Sequence, residues 1–328
     1  MHPRFDVPGS ALLGADFPLP LESPFTCQQA ASAGISRHAL SELVVAGLVR
    51  RLLRGVYVPA QTPDSLELRT KALALVVPAD ATLVDWTACW LWTGVLAPGE
   101  HLEVPPVSLF RPAGAGRLRN RLCHSGERSF MPGDFVEVGG LQVATPLRTA
   151  WDLGRFFHRD IAVGGMDALR RLGTFDLADL LGGVERFRRQ RGVVQLRALA
   201  PLVDGRSESP GESTLRLRWH DLASLPQPHP QVVVADASGR VLARVDLGIE
   251  ELRFGVEYDG KQFHSSEEDR EHDAQRRAWL HREHGWLIKV VRRENVYGPT
   301  RDVERIIRDG IVEARRTLSE RSRRFARQ

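Results

Sequence analysis

Near the N-terminus, apolar residues recur at helical spacing in two short segments and then at strand spacing. Thr26 with Gln29 three residues later is a capping-box pattern that starts the first helix. Ser36 is the predicted N-cap of the second helix, in "ISRHALSELVVAG". Arginines then interrupt the β-type run "LVRRLLRGVYVPA". We predict a winged helix-turn-helix over residues 25–60, preceded by a proline-rich, poorly ordered leader at residues 1–24.

In a winged helix-turn-helix the second helix enters the major groove of DNA and the wing contacts backbone phosphates. The sequence places two basic side chains at the start of the second helix and three on the hairpin. A small helical hairpin used only for packing is the alternative, because this spacing is common. The predicted DNA-binding residues are Arg37, His38, Arg50, Arg51 and Arg54.

Residues 64–203 alternate between helical and strand patterns and form a predicted mixed α/β linking domain. Gly139 and Gly140 suit a two-residue hairpin turn. Thr145 and Pro146 are typical of an N-cap followed by proline at the first helical position. The polar run "DGRSESPGE", residues 204–212, breaks the periodicity, and we place a domain boundary there.

Beyond the boundary, a helix beginning near Glu212 precedes three predicted strands at 231–235, 240–249 and 252–259. Side chains alternate between the two faces of a strand. This parity leaves Asp246 on one face of the second strand, opposite its apolar residues, and Glu257 with Asp259 on the corresponding face of the third. A hairpin of these strands brings Asp246 beside Glu257 at about 5 Å.

Carboxylates this close repel one another unless a cation lies between them. Oxygen ligands of this kind suit Mg²⁺ or Mn²⁺, which can polarise a phosphodiester and activate water. A lysine beside the metal, such as Lys261, can stabilise charge on the phosphate. The sequence therefore predicts a metal site for phosphodiester hydrolysis, although alternating charges on a strand commonly mark only a solvent-facing side.

Cysteine spacing, apolar runs and charge restrict the class of protein. Cys27, Cys89 and Cys123 form no CxxC pair, which argues against a disulfide framework and a zinc site. No apolar run approaches the roughly 18 residues that span a membrane, and no signal peptide is evident, so we expect a cytoplasmic protein with no membrane partner. The formal charge of +4 is uneven: residues 315–328 hold six arginines against Glu320, so residues 298–328 are predicted to be a basic C-terminal helix or tail.

Two resemblances to known families follow from these motifs. The "GISRHAL…GLVRRLLRGVYVP" run resembles the N-terminal winged helix of AbiEi-type antitoxins and related transcriptional regulators, which implies DNA binding. Residues 208–297, above all "RVDLGIEELRFGVEYDGKQFH", resemble the PD-(D/E)XK nuclease superfamily, in the branch similar to the very-short-patch-repair endonuclease. That core has a helix, a three-stranded antiparallel meander, a helix and a strand.

The nuclease resemblance implies roles for individual residues. Asp246 is the acid of the first motif, Glu257 that of the second, and Glu212 the acid of the leading helix. Asp259 then fills the position where the family has lysine; if Asp259 is instead the acid, Lys261 is that lysine. His264 is a proton carrier or a phosphate contact. The catalytic prediction is Asp246, Glu257, Asp259, Lys261, His264 and Glu212, and Asp246, Glu257 and Asp259 are the predicted metal ligands.

The fold class predicted is thus α+β multidomain: an N-terminal winged helix-turn-helix, a mixed middle region and a C-terminal restriction-endonuclease-like α/β domain. The predicted function is DNA binding coupled to a Mg²⁺- or Mn²⁺-dependent endonuclease. The alternative is a non-enzymatic transcriptional regulator or antitoxin of a type IV toxin-antitoxin system, with DNA and a cognate toxin as partners. A third reading is an interaction scaffold without DNA affinity.

Overall fold

The computed structural model describes residues 12–97, 106–119, 123–236, 238–260 and 267–325, and these residues form a mixed α/β multidomain protein as expected. They divide into two compact units. The first runs to Phe156 and also includes Leu172–Val193, and the second contains Phe157–Arg171 and the chain from Val194 onward. In the described residues, no helix is both long enough and apolar enough to cross a bilayer.

The first unit begins with two short helices and a three-stranded antiparallel sheet. The predicted capping box is confirmed: Thr26 Oγ1 accepts from the Gln29 amide at 3.1 Å, and Gln29 Oε1 accepts from the Thr26 amide at 2.8 Å. Ser36 caps the second helix through the Ala39 amide, also as predicted. The elements are β1 (Phe25–Thr26), α1 (Cys27–Ser32), α2 (Arg37–Val45), β2 (Val49–Leu53) and β3 (Val56–Pro59), in the sheet order β1-β3-β2.

Part of the predicted leader packs against the first unit. Leu13 and Phe17 are buried in the core beneath α1 and α2. Gln61 binds the backbone of Leu13 twice, accepting from its amide at 3.1 Å and donating to its carbonyl at 3.0 Å. These apolar contacts have no helical or strand periodicity, so a search for periodic patterns does not detect them.

The rest of the first unit is built around a five-stranded mixed sheet in the order β6-β5-β4-β8-β7. The predicted hairpin turn is confirmed, since Gly139 and Gly140 have φ of 55° and 81° and join its last two strands. Thr145 caps the following helix by accepting from the Arg148 amide at 3.2 Å. The elements are α3 (Leu66–Ala74), β4 (Thr82–Leu83), α4 (Asp85–Thr93), β5 (Val107–Pro112), β6 (Cys123–Arg128), β7 (Phe135–Val138), β8 (Leu141–Ala144), α5 (Pro146–Phe156) and, after α6 (Arg159–Arg171), which belongs to the second unit, α7 (Leu177–Arg186).

The second unit has a four-stranded sheet in the order β12-β11-β10-β9. The strands β9, β10 and β11 form an antiparallel meander, and β12 lies parallel to β11. Trp219 and Phe254 are fully buried in its core, with ring centroids 5.6 Å apart. The elements are α6 (Arg159–Arg171), α8 (Val193–Leu199), α9 (Pro210–His220), β9 (His229–Ala235), β10 (Val241–Ile249), β11 (Phe254–Asp259), α10 (Glu267–Trp279), β12 (Leu287–Arg292), α11 (Arg293–Val296) and α12 (Val303–Phe325).

The strand boundaries differ from the prediction at the start of β9, which begins at His229 and not at residue 231, and between β10 and β11. Residues Glu250–Leu252 form a 3₁₀ turn, so β11 begins at Phe254 and not at residue 252. Arg253 closes the turn with a left-handed backbone, at φ 46°. The chain reverses there without changing the parity of the residues that follow.

Candidate functional site

The exposed side of α2 is the first candidate site. Ala39, Leu40 and Leu43 are buried on one side of this helix. The opposite side carries His38, Ser41 and Val45, at spacings that place them along one line of a helix with about 3.6 residues per turn. Arg37 and Glu42 flank this line. We call these five exposed residues the reading face: Arg37, His38, Ser41, Glu42 and Val45.

Charges on the reading face are mixed. His38 Nε2 lies 3.3 Å from Glu42 Oε1, one helical turn away, and both side chains are largely exposed to solvent. Arg37 occupies the first helical position, where its cation is exposed. The face therefore offers hydrogen-bond donors, acceptors and an apolar group in a small area.

The hairpin arginines predicted for the wing differ in their surroundings. Arg51 lies exposed on β2, and Arg54 is half-buried at the turn between β2 and β3. Arg50 instead donates from Nη2 to the Thr62 carbonyl at 2.8 Å, so its guanidinium group binds the segment that follows β3. Arg51 and Arg54 are thus the hairpin cations best placed to meet a phosphate.

The second candidate site lies on the sheet of the second unit, around Asp246. Leu247 of β10 pairs with Val256 of β11, and extending this antiparallel register by one residue sets Asp246 opposite Glu257. Asp246 Oδ2 also accepts from the backbone amide of Tyr258 at 2.7 Å, which fixes this carboxylate against β11. We call the group of Glu212, Asp246 and Glu257 the acidic site.

Glu212 reaches the acidic site from the first turn of α9. Gly211 precedes it, and a Cβ at that position would overlap the ring of Tyr258, so the missing side chain lets α9 approach β11 closely. Glu212 Oε2 accepts from the Glu208 amide at 2.9 Å and from Gln231 Nε2 at 2.8 Å. Gln231 holds a left-handed backbone at φ 56° within β9.

The electrostatics of the acidic site converge on Asp246. Burial raises the pKa of this carboxyl to about 7, and the negative charge of Glu212 adds to the effect. The hydrogen bond from the Tyr258 amide opposes the rise, while the charges of Glu257 and Glu208 support it. Asp246 is therefore a carboxyl whose protonation changes near neutral pH.

Arginines neutralise the remaining acids of the third strand. Arg276 Nη2 lies 3.1 Å from Glu257 Oε1, and Arg277 Nη1 lies 3.4 Å from Glu257 Oε2; both arginines belong to α10. Asp259 pairs with Arg292 of β12 at 3.2 Å, on the side of β11 away from β10. The structure thus brings Glu212, Asp246 and Glu257 together and directs Asp259 toward a neighbouring strand.

The donor chemistry of the acidic site suits a hard divalent cation, because carboxylate oxygens are the ligands that Mg²⁺ and Mn²⁺ take. In the parts of the chain that the structure describes, however, no group of three or more His, Cys, Asp or Glu side chains is arranged to hold an ion. Metal binding thus requires these side chains to move together, including Glu257, whose two oxygens now face arginines.

Two predicted residues, Lys261 and His264, lie outside the described residues. Sequence reasoning in turn missed the roles of Glu208, Gln231 and Arg277. The "DAQRR" run holds Arg277 beside Arg276, so its position was readable from the helical pattern. No local signal marks Gln231, because its contact with Glu212 depends on how β9 packs beside α9.

The first comparison with known proteins concerns the N-terminal segment. A family model described as "Transcriptional regulator, AbiEi antitoxin" matches residues 23–60. The predicted resemblance of residues 25–60 to AbiEi-type regulators is thereby confirmed. The match includes the whole reading face and the β2–β3 hairpin.

The second comparison covers most of the chain. Two curated proteins of Mycobacterium tuberculosis, uncharacterized protein MT2308 of strain CDC 1551 / Oshkosh and uncharacterized protein Rv2248 of strain H37Rv, are each 30% identical to it over 263 residues. The alignment covers 77% of this chain and 89% of each relative. The chain therefore belongs to the same protein family as these two mycobacterial proteins.

Proposed function

We propose that the protein is a DNA-binding transcriptional regulator that uses α2 as the recognition helix of a winged helix-turn-helix. The observation that carries the proposal is the solvent-exposed reading face, which lies wholly inside the segment matched by the regulator family. The major groove is wide enough to admit an α-helix, and α2 would enter it along its exposed side.

The β2–β3 hairpin supplies the accompanying phosphate contacts. Arg51 and Arg54 lie at or beside the turn of this hairpin, and phosphate contacts orient a protein on the duplex without reading its sequence. The family description also supports an antitoxin role, with a cognate toxin as a second partner. A toxin gene next to the gene for this chain would favour that role.

Binding of the full chain to fluorescent duplex DNA at several salt concentrations tests the regulator proposal. The triple variant R37A/R51A/R54A should bind at least about tenfold more weakly near 0.1 M salt. The reason is that fewer protein cations then contact phosphates, so binding releases fewer counterions from the DNA. The matched control R197A/R240A/R308A removes three exposed arginines elsewhere and should bind like wild type. Failure of the wild-type chain to bind DNA at low salt would favour the scaffold reading.

A second candidate function is metal-dependent hydrolysis of DNA phosphodiesters at the acidic site. The specific observation that favours it is the half-buried Asp246, whose pKa is raised to about 7 beside the buried Glu212 and beside Glu257. Buried acids in a cluster of like charge are typical of catalytic sites. The element order α9, β9–β10–β11, α10 and β12 supports a nuclease-type core as well.

In this proposal, Asp246 and Glu257 hold Mg²⁺ or Mn²⁺, with Glu212 or Asp259 assisting. The bound ion would supply Lewis-acid polarisation of the phosphodiester and a more acidic water. Gln231 and the Glu208 amide orient Glu212. Arg276 and Arg277 neutralise Glu257 and are cations near enough to the site to bind a phosphate oxygen once Glu257 turns away.

Incubation of the full chain with DNA and Mg²⁺ or Mn²⁺ tests hydrolysis. D246A should lose metal-dependent cleavage, while D236A, which removes a carboxylate between β9 and β10 of the same sheet, should keep it. Equal cleavage by wild type and D246A would remove Asp246 from the mechanism. Absence of any metal-dependent cleavage by wild type would leave DNA binding as the function of the chain.

A further inference from the structure

Val45 is an apolar side chain on the reading face that is exposed to solvent. Its exposed fraction is 86%, the largest given for a big apolar residue in the described chain. It lies in line with His38 and Ser41 on the side of α2 opposite the buried Leu40 and Leu43. A partner that docks on this side of α2 must therefore cover Val45.

The charge distribution of the reading face indicates which part of a duplex would meet it. A surface that only contacts phosphates is expected to carry cations, yet beyond the first turn of α2 this face holds the Ser41 hydroxyl, the Glu42 carboxylate and, at the last residue of the helix, Val45. Cations lie at the start of α2, at Arg37, and on the hairpin, at Arg51. Phosphate contacts by these arginines and base contacts by the uncharged residues that follow along α2 fit this distribution.

We propose that Val45 is a specificity-determining residue that packs against the C5-methyl group of a thymine in the major groove. The inference rests on the proposed DNA-binding function. Thymine is the base that presents a methyl group in that groove, and apolar side chains recognise it by contact. Ser41, one turn before Val45, is placed to accept or donate at the neighbouring base.

The experiment starts by selecting preferred duplexes from a randomised pool with the full chain. Each thymine of the selected site is then replaced singly by deoxyuridine, which lacks only the C5-methyl group. For wild type, one such replacement per bound chain should weaken binding about fourfold, the factor that follows from one buried methyl group. V45A should bind the thymine duplex more weakly than wild type and should not distinguish thymine from deoxyuridine at that position.

Two further variants keep the test specific. V45T retains a methyl group on Cβ and should keep the preference for thymine. V194A removes the same atoms from a valine of α8 that is 73% exposed, and it should behave as wild type.

The possible outcomes separate the inference from the function it rests on. Loss of the methyl preference in V45A alone supports it. Equal sensitivity of V45A and wild type to deoxyuridine, or binding without sequence preference, overturns the role of Val45 while leaving DNA binding intact. A chain that binds no duplex at any salt concentration overturns the regulator proposal itself.

Discussion

At the residue scale, the raised pKa of Asp246 makes the stability of the protein depend on pH. The unfolded chain releases the proton of this carboxyl near its ordinary pKa of 3.8, whereas the folded chain holds it to about pH 7. Between these values the folded state binds more protons, so the free energy of unfolding falls as the pH rises from about 4 to 7. Above pH 7 the folded chain keeps a charge that burial makes unfavourable.

Substituting D246N should therefore stabilise the protein, and more at pH 8 than at pH 5. We expect a gain of roughly 2–4 kcal/mol in the free energy of unfolding at pH 8, because a partly buried charge beside two other carboxylates is removed. Urea unfolding in the presence of EDTA measures it. D236N is the control: hydrogen bonding from Ser238 lowers the pKa of Asp236, so its removal should give no gain at pH 8. A D246N variant no more stable than wild type would contradict the raised pKa.

At the element scale, a buried network of ion pairs joins the strands and helices of the first unit. Asp152 of α5 accepts from Arg128 of β6 at 2.9 Å and from Arg148 at 2.8 Å. Asp134 binds Arg148 and also Arg186 of α7, the latter at 2.6 Å. Arg128 in addition binds Asp85 at 2.6 Å, at the start of α4. Phe110 and Phe187 pack over the guanidinium groups.

Removing one carboxylate from this network should destabilise the first unit strongly. Asp152 is fully buried among three arginines, and D152N should cost about 3–5 kcal/mol because buried cations lose their counter-charge. D64N, which weakens the more exposed pair with Arg69, should cost less than about 1 kcal/mol. Urea unfolding followed by tryptophan fluorescence compares the two. Equal costs would show that the buried network contributes no more than a surface pair.

At the scale of the whole molecule, the two candidate sites lie in different compact units, with the reading face in the first and the acidic site in the second. Because no residue is shared between these sites, each should be removable without loss of the other.

Two measurements on the full chain check this separation. R37A/R51A/R54A should weaken the salt dependence of DNA binding, with the magnitude of the slope of log K against log [salt] reduced by about 2–3. The melting temperature of this variant should rise with Mn²⁺ by as much as that of wild type. D246A should show the reverse: unchanged DNA binding and no Mn²⁺-dependent rise. If one substitution abolished both properties, the sites would not be independent.

Much of the local structure was predictable because its causes lie within a few residues. Thr26, Ser36 and Thr145 cap helices through amides three residues away, and Gly139 with Gly140 closes a turn that needs positive φ. The period-2 pattern likewise fixed which strand residues share a face. The closeness of Asp246 to Glu257, which is near enough to raise the pKa of Asp246, followed from parity and a short connection between β10 and β11.

The sequence by itself thus determined helix starts, turns, strand faces and the acids that β10 and β11 carry. Tertiary structure alone decided which distant groups meet: Arg276 and Arg277 on Glu257, Gln231 on Glu212, and the buried ion pairs of Asp152. It also decided the anchoring of Leu13 by Gln61, 48 residues away. The physical reason is range: hydrogen bonds within a turn act between neighbours in the chain, whereas burial and ion pairing act between surfaces that only folding brings together.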